Sequence, residues 1–138
     1  MTNQIYTIGY SGRKPEEVKR IVEELGAVLF DIRFSPRSRD PRWAGGNVAK
    51  LLGANYRHVR ELGNINYKGG PIAFVDLAKG IDLIRQAERP VVLMCVCKDH
   101  HTCHRAAAAE TLREQGFEVT EITTRPAQAS LFWDSEDN

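Results

Sequence analysis

The amino-acid sequence predicts an α/β domain, with a mostly parallel sheet of about five strands and helices on both faces. Two observations carry this prediction: short apolar runs typical of buried strands alternate with stretches of helical periodicity, and the connections between them are short. The chain of 138 residues is long enough for one sizeable core. No internal repeat or low-complexity segment interrupts the alternation.

The first elements are predicted to be a strand, a helix and a second strand. Ile5–Gly9 alternates in polarity as a strand does. Residues 27–32 form an apolar run with one charged residue, Asp31, near its end. Between them, Pro15 suits the first turn of a helix and Gly26 suits its end. The apolar positions of this helix recur on one face: Val18, Ile21, Val22 and Leu25.

The rest of the chain continues the alternation. Residues 33–43 contain two prolines and no periodicity, which predicts a loop over the strand ends. Residues 61–71 are rich in turn residues and are predicted to be either a functional loop or flap or a plain surface connection. The other predicted elements are a short helix at residues 48–52, a strand at 56–59, a helix at 74–87, a strand at 91–94, a helix at 103–115 and a strand at 117–122.

Composition excludes several classes of protein. The 42% hydrophobic and 27% charged fractions are typical of a globular protein in water. No apolar run approaches the roughly 20 residues that cross a bilayer, and the first residues lack a signal-peptide pattern, so we expect no membrane partner and a cytoplasmic location. Three cysteines within nine positions make a poor disulfide framework and favour a reduced, reactive or metal-binding cluster.

The net charge of +1 hides an uneven distribution. Between Arg33 and Arg60 there are seven arginine and lysine residues and a single acid, Asp40. Guanidinium groups offer fixed, bidentate donors to phosphate oxygens, so this basic block suits a phosphate or nucleic-acid contact. A solvated basic surface explains the charge pattern equally well.

Residues 90–109 read as strand, loop and helix, and they hold all three cysteines with three of the four histidines. A helix that begins near Cys103 would direct free backbone N–H groups and its positive dipole end at the loop, which favours an anion or a thiolate there. In parallel sheets, ligands bind beyond the carboxyl ends of the strands. That rule gathers the candidate ligand-binding residues at one edge of the sheet: Tyr10, Ser11, Arg33, Ser38, Arg39 and Arg105.

Four motifs in register, covering nearly the whole chain, resemble the domain-of-unknown-function family 488. They are T-I-G-Y-S at residues 7–11, D-I-R-F-S-P-R-S-R at 31–39, E-L-G at 61–63 and C-x7-C-H-R at 95–105. The resemblance implies a compact α/β domain without an established reaction, with motif residues at Ser11, Asp31, Arg33, Pro36, Ser38, Arg39, Cys95, Cys103, His104 and Arg105. The chain departs from the family at Tyr10, where histidine is common, and at Cys97, where glutamate is usual.

Three interpretations of the cysteine and histidine loop remain open. Cys95 or Cys103 is a thiolate nucleophile, or the loop binds zinc or iron through Cys95, Cys97, His100 and Cys103, or the cysteines are packing residues and the basic groups bind a phosphate-bearing ligand. We favour the third, because it also accounts for the basic block, and it requires no cofactor. In an enzyme the catalytic candidates are Asp31, Cys95, Cys103 and His104. A buried Asp31 needs a partner such as Arg33 or Arg39, or a function.

Residues 124–138 read as a tail after an α/β domain of residues 1–123. Q-A-S-L-F at residues 128–132 resembles the sliding-clamp-binding pentapeptide of bacteria, which implies that Gln128, Leu131 and Phe132 enter a pocket on the clamp. A tail that covers its own domain is the alternative. The sequence therefore predicts a protein that binds nucleic acid or a nucleotide in DNA replication or repair; the alternative is a small-molecule enzyme with a cysteine nucleophile or a bound metal.

Overall fold

The computed structural model describes residues 4–96 and 104–123. Within these residues, strands and helices alternate along the chain, as the sequence predicts. The strands are β1 (Ile5–Gly9), β2 (Val28–Asp31), β3 (Tyr56–His58), β4 (Val91–Cys95) and β5 (Val119–Glu121). The helices are α1 (Pro15–Leu25), α2 (Gly45–Leu52), α3 (Leu77–Gln86) and α4 (His104–Glu114).

The five strands form one parallel sheet in the order β3-β2-β4-β1-β5. The predicted fold class, a parallel α/β domain, is thereby confirmed. β4 lies at the centre, between β1 and β2, so the end of β1 at Gly9 is level with Cys95, and Asp31 of β2 is level with Met94. The carboxyl ends of β1, β2 and β4 therefore meet at the middle of one edge.

Each face of the sheet carries its own apolar core. Side chains alternate across β4: Val92 and Met94 belong to the cluster with the apolar residues of α1 and α2, and Val91, Leu93 and Cys95 to the cluster with α3 and α4. All five are buried, as expected for a central strand covered on both faces.

Several predicted boundaries differ from the structure by one to three residues; α2, for example, begins at Gly45 and not at residue 48. Two of the differences have a clear cause. The helix predicted over residues 74–87 begins at Leu77, because Phe74 forms an antiparallel bridge with Asn64 and the Asp76 side chain accepts a hydrogen bond from the Lys79 backbone N–H (3.2 Å), which caps the first turn. The strand predicted over residues 117–122 is shorter, because the Phe117 N–H bonds back to the Leu112 carbonyl (3.1 Å) and closes α4 instead. The predicted start of α4 at Cys103 lies outside the described residues.

Among the described residues, no helix combines the length and the apolar character needed to cross a membrane.

Candidate functional site: a basic cavity at the carboxyl edge of the sheet

A cavity of about 740 Å³ opens at the edge where β1, β2 and β4 end. Its volume falls in the range of roughly 300–1,000 Å³ that is usual for ligand pockets. Four segments form its walls: the end of β1, the loop at residues 33–39, the loop at residues 64–72 and the end of β4 with the start of α4. The polar and charged side chains of the wall are Tyr10, Arg33, Ser35, Arg37, Ser38, Arg39, Asn64, Asn66, Tyr67, Lys68 and His104.

Asp31 and Arg33 form a buried ion pair behind the cavity wall. Nε of Arg33 lies 2.8 Å from one carboxylate oxygen of Asp31 and Nη2 lies 2.5 Å from the other, which is the bidentate geometry. Asp31 is fully buried and Arg33 is 5% exposed. Burial by itself lowers the pKa of Arg33, but the hydrogen bonds and the negative charge of Asp31 outweigh it and raise that pKa, so the guanidinium stays charged.

The remaining contacts of Arg33 hold it in place. Nη1 donates to the Trp43 carbonyl (2.7 Å) and to the Tyr10 hydroxyl (3.3 Å). The Tyr10 ring stacks on Trp43 with 4.3 Å between centroids, and the guanidinium carbon lies 5.2 Å from the Tyr10 centroid. Arg33 therefore positions the loop that follows β2, with most of its donors already engaged.

Tyr56 completes the polar group around Asp31. Its hydroxyl donates to a carboxylate oxygen of Asp31 at 2.7 Å from the neighbouring strand β3. Burial, then the negative charge of Asp31, raise the pKa of Tyr56 above its ordinary value, so the phenol stays protonated as a donor. The carboxylate thus has two side-chain partners, which satisfies the requirement that a buried charge be paired.

Arg37 and Arg39 are the exposed cations of the loop at residues 33–39, which we call the arginine loop. The loop is anchored at Pro36, whose carbonyl accepts a hydrogen bond from the Gly45 N–H (2.9 Å). A Cβ atom at Gly45 would lie 2.8 Å from the Pro36 side chain, so this close approach requires glycine. The two arginines on either side of Ser38 are exposed and line the cavity.

His104 closes the wall from the first turn of α4. Its Nε2 lies 3.2 Å from the Ile32 carbonyl oxygen, which can only accept, so Nε2 carries the proton of this hydrogen bond. The ring also meets Phe74 edge-on, with 6.5 Å between centroids. His104 thereby ties α4 to the end of β2 as well as lining the cavity.

Arg105 has a different position from the one that the sequence suggests. It is 1% exposed and does not line the cavity; Nη2 and Nε bind the Glu121 carboxylate (2.8 Å and 3.1 Å), which also accepts a hydrogen bond from the Thr7 hydroxyl. Burial lowers the pKa of Arg105, but hydrogen bonds to Glu121 and Cys95 outweigh it and raise that pKa. The structure therefore places Arg105 in a buried pair with Glu121, whose role the sequence does not reveal, and the predicted ligand contact of Arg105 stays a prediction.

Cys95 lines the cavity, and its side chain is buried. Nη1 of Arg105 donates to its sulfur at 3.4 Å. A guanidinium group next to sulfur favours a thiolate, and burial among apolar side chains opposes it. Packing and nucleophilic roles for Cys95 both stay predictions.

The loop at residues 64–74, which we call the rim loop, covers the outer side of the cavity. The Asn64 side-chain oxygen accepts from the backbone N–H groups of Asn66 and Ala73 (both 3.0 Å), which ties the two ends of the loop together. The Tyr67 ring stacks on Phe34 of the arginine loop, with 5.3 Å between centroids. The two loops therefore contact each other along the cavity wall, and both predicted roles of the rim loop, a functional loop or a plain surface connection, stay predictions.

The structure brings together most of the residues predicted to form the site. Arg33 and His104, on elements far apart in sequence, line the same cavity, with Tyr10, Ser38, Arg39 and Cys95. Asp31 is shielded behind Arg33, and the exposed Ser11 and the buried Arg105 do not line the cavity. Six predicted residues lie outside the described part of the chain: Cys97, His100, Cys103, Gln128, Leu131 and Phe132.

Arg37, Tyr67 and Lys68 line the cavity but are not among the site residues that the sequence predicts. The signals were present, because Arg37 belongs to the basic block and the other two to the turn-rich segment of residues 61–71. Among the described residues, no group of three or more histidine, cysteine, aspartate and glutamate side chains is placed to hold a metal ion. Three of the four predicted metal ligands lie outside those residues, so the metal hypothesis stays a prediction.

Comparison with family models, curated proteins and solved structures found no match to this chain. The resemblance to the domain-of-unknown-function family 488 stays a prediction. The function has to be argued from the cavity and its chemistry.

Proposed function

We propose that this protein is a cytoplasmic α/β protein that binds a phosphate-bearing ligand, either nucleic acid or a nucleotide, in the basic cavity. The observation that carries the proposal is the charge of the wall: Arg37, Arg39 and Lys68 line the cavity as exposed cations, beside Arg33, which is paired with Asp31. Within residues 4–96 and 104–123, no aspartate or glutamate lines the cavity. A wall that carries exposed cations attracts anions, since low-dielectric walls concentrate the field of the lining charges.

Arg37 and Arg39 are the residues best suited to contact phosphate. Both are exposed, unlike Arg33, whose donors face Asp31, Tyr10 and the Trp43 carbonyl. A guanidinium group gives phosphate two parallel hydrogen bonds, and Ser38 between the two arginines adds a hydroxyl to the same wall. Arg33 then acts as a positioning residue for its neighbours in the arginine loop.

A cytoplasmic location is supported by the sequence, because three cysteines within nine positions make a poor disulfide framework. We propose further that the tail brings the domain to DNA by binding a sliding clamp through Gln128, Leu131 and Phe132. The sequence of the tail supports this part of the proposal, as an apolar pair in a polar segment is the usual form of a groove-binding peptide.

The proposal is tested by removing the two exposed arginines. Arg37→Ala plus Arg39→Ala is expected to weaken binding of a fluorescein-labelled ten-nucleotide DNA strand by at least about tenfold, because two phosphate contacts are lost. The slope of log Kd against log salt should also fall, by about 0.7 for each phosphate contact of a single strand. Fluorescence anisotropy at several salt concentrations measures both, with ATP as a competing probe.

Lys50→Ala plus Arg57→Ala is the matched control, since it removes the same charge from exposed positions that do not line the cavity. This control should bind the strand as the unchanged protein does. Equal losses in the two double variants would mean that diffuse charge, and not the cavity, attracts the ligand. Failure of both the strand and ATP to bind at low salt would overturn the proposal.

A further inference from the structure

The rim loop presents an aromatic ring to solvent at the mouth of the cavity. Tyr67 lines the cavity and is 54% exposed, although tyrosine buries much apolar surface when it can. Its ring is held from behind by the stack on Phe34, at 5.3 Å and with 24° between the ring planes. An exposed aromatic ring that is held in one orientation is suited to stack against another flat ring.

Three neighbouring groups hold this arrangement rigid. The Arg60 guanidinium carbon lies 4.3 Å from the Phe34 centroid and supports that ring. The Asn66 side chain donates to the Pro71 carbonyl at 2.7 Å, and the Gly69 N–H bonds to the Asn66 carbonyl at 2.9 Å. Tyr67 therefore sits within a closed turn that is bonded across its base, and holding it in place costs little further entropy on binding.

Exposed apolar groups and cations both line the cavity that Tyr67 lines. Ile72 and Val96, 41% and 49% exposed, line the same cavity, and the Lys68 ammonium group lies 5.8 Å from the Tyr67 centroid. A bare anion such as inorganic phosphate would use the cations and leave the exposed apolar groups in water. A nucleotide would use both, because its base is flat and apolar on its faces and its phosphate is charged.

We infer that Tyr67 is a stacking site for an unpaired nucleobase, so that the ligand of the cavity is single-stranded nucleic acid. The inference rests on the proposed function, since Arg37 and Arg39 supply the phosphate contacts beside the stacked base. In a duplex each base is already stacked on its neighbours and its faces are unavailable to a side chain. Stacking on an aromatic side chain is the general means by which proteins hold single strands.

The test compares ligands that differ in their bases alone. A ten-nucleotide thymidine strand is expected to bind on the order of tenfold more tightly than an abasic strand of the same length, because both carry the same phosphates. It is also expected to bind more tightly than the same sequence in a duplex. A uridine strand of RNA, run in parallel, shows whether the sugar matters, with stacking expected for both sugars.

Tyr67→Leu is expected to abolish the preference for the thymidine strand over the abasic strand, and Tyr67→Phe to retain it. Ile65→Ala is the matched control, because Ile65 is 49% exposed on the same loop and does not line the cavity. The abasic comparison on the unchanged protein does not depend on any variant folding.

The outcomes separate this inference from the proposed function. Equal binding of thymidine and abasic strands, with loss of both in Arg37→Ala plus Arg39→Ala, would overturn the stacking site and leave phosphate binding in place. Tighter binding of the duplex would also overturn it. No binding of any strand would overturn the stacking inference, and failure of ATP to bind as well would overturn the proposed function.

Discussion

At the scale of single residues, the ion pair between Asp31 and Arg33 is the clearest case of charge buried for structure. Both side chains are almost fully buried, and each has further partners in Tyr56, Tyr10 and the Trp43 carbonyl. Removing one member leaves the other charge without its counter-ion in a poorly solvated place. Removal of both members is therefore expected to destabilise the folded protein less than removal of one.

We expect Asp31→Ala to lower the free energy of unfolding by about 3–5 kcal/mol, the usual cost of a buried charge left alone. Asp31→Ala plus Arg33→Ala should cost clearly less than the sum of the two single changes. Urea unfolding of the three variants measures these quantities. Arg42→Ala serves as the control, because its partner Asp40 and the ion pair they form are exposed, and stability should hardly change. Additive costs in the double variant would contradict a direct pairing.

The ion pairs of Asp31 and Arg105 differ in how far the sequence predicts them. A charged residue at the end of an apolar run predicts that Asp31 needs a partner, and Arg33 is the partner found. Nothing in the sequence says that Glu121 pairs with Arg105, because the two residues come together only through the packing of α4 on β5. Pairings made by tertiary packing are invisible to local patterns.

At the scale of elements, local patterns predicted the sheet and its helices well. The strands were predicted from apolar runs, and α1 from its apolar face, the proline at its start and the glycine at its end. All of these signals depend on near neighbours in sequence. The start of α3 was less predictable, since residues 74–76 suit a helix and are held instead by the bridge between Phe74 and Asn64 and by the bond from the Val75 N–H to the Gly63 carbonyl (3.1 Å). Backbone contacts with residues 63 and 64, which lie outside the strands, decided that boundary.

Gly63 joins the rim loop to the arginine loop through backbone contact. A Cβ atom there would lie 2.8 Å from the Phe34 Cα, and backbone cannot move aside as a side-chain end can. We expect Gly63→Ala to reduce stability by roughly 1–3 kcal/mol through overpacking. It should also weaken binding of the thymidine strand, because Phe34 supports Tyr67. Urea unfolding and anisotropy measure the two effects.

Gly46→Ala is the control for that substitution. Gly46 lies in α2, where an added Cβ meets no atom within 4 Å, so alanine should be neutral or should raise stability by up to about 1 kcal/mol. If Gly63→Ala were as harmless as Gly46→Ala, the close approach of the two loops would not constrain the site.

At the scale of the whole molecule, the fold could be predicted because an alternation of strands and helices leaves few arrangements, and the parallel sheet then fixes which edge holds the loops. The shape of the cavity could not be predicted. Its wall depends on how the Tyr67 and Phe34 rings stack across two loops, and such contacts follow from packing and not from periodicity.

The predicted tail, residues 124–138, bears on how the whole protein binds a partner. Leu131→Ala plus Phe132→Ala is expected to reduce binding to a purified bacterial sliding clamp by at least about tenfold, because an apolar anchor pair usually carries most of the affinity of such a peptide. Surface plasmon resonance on the full chain measures the change. Ser135→Ala, outside the pentapeptide, should have no effect. Equal binding of both variants, or no binding of the unchanged protein, would remove the clamp from the proposal.

The position of β4 has a consequence for how the chain acquires its structure. β1 and β2 do not touch each other as a pair, because both are bonded to β4, which follows them by dozens of residues. During synthesis, the edges of β1 and β2 that pair with β4 therefore stay unpaired until Val91–Cys95 has left the ribosome. The cavity, whose walls depend on all three strand ends, can therefore form only after β4 has joined the sheet.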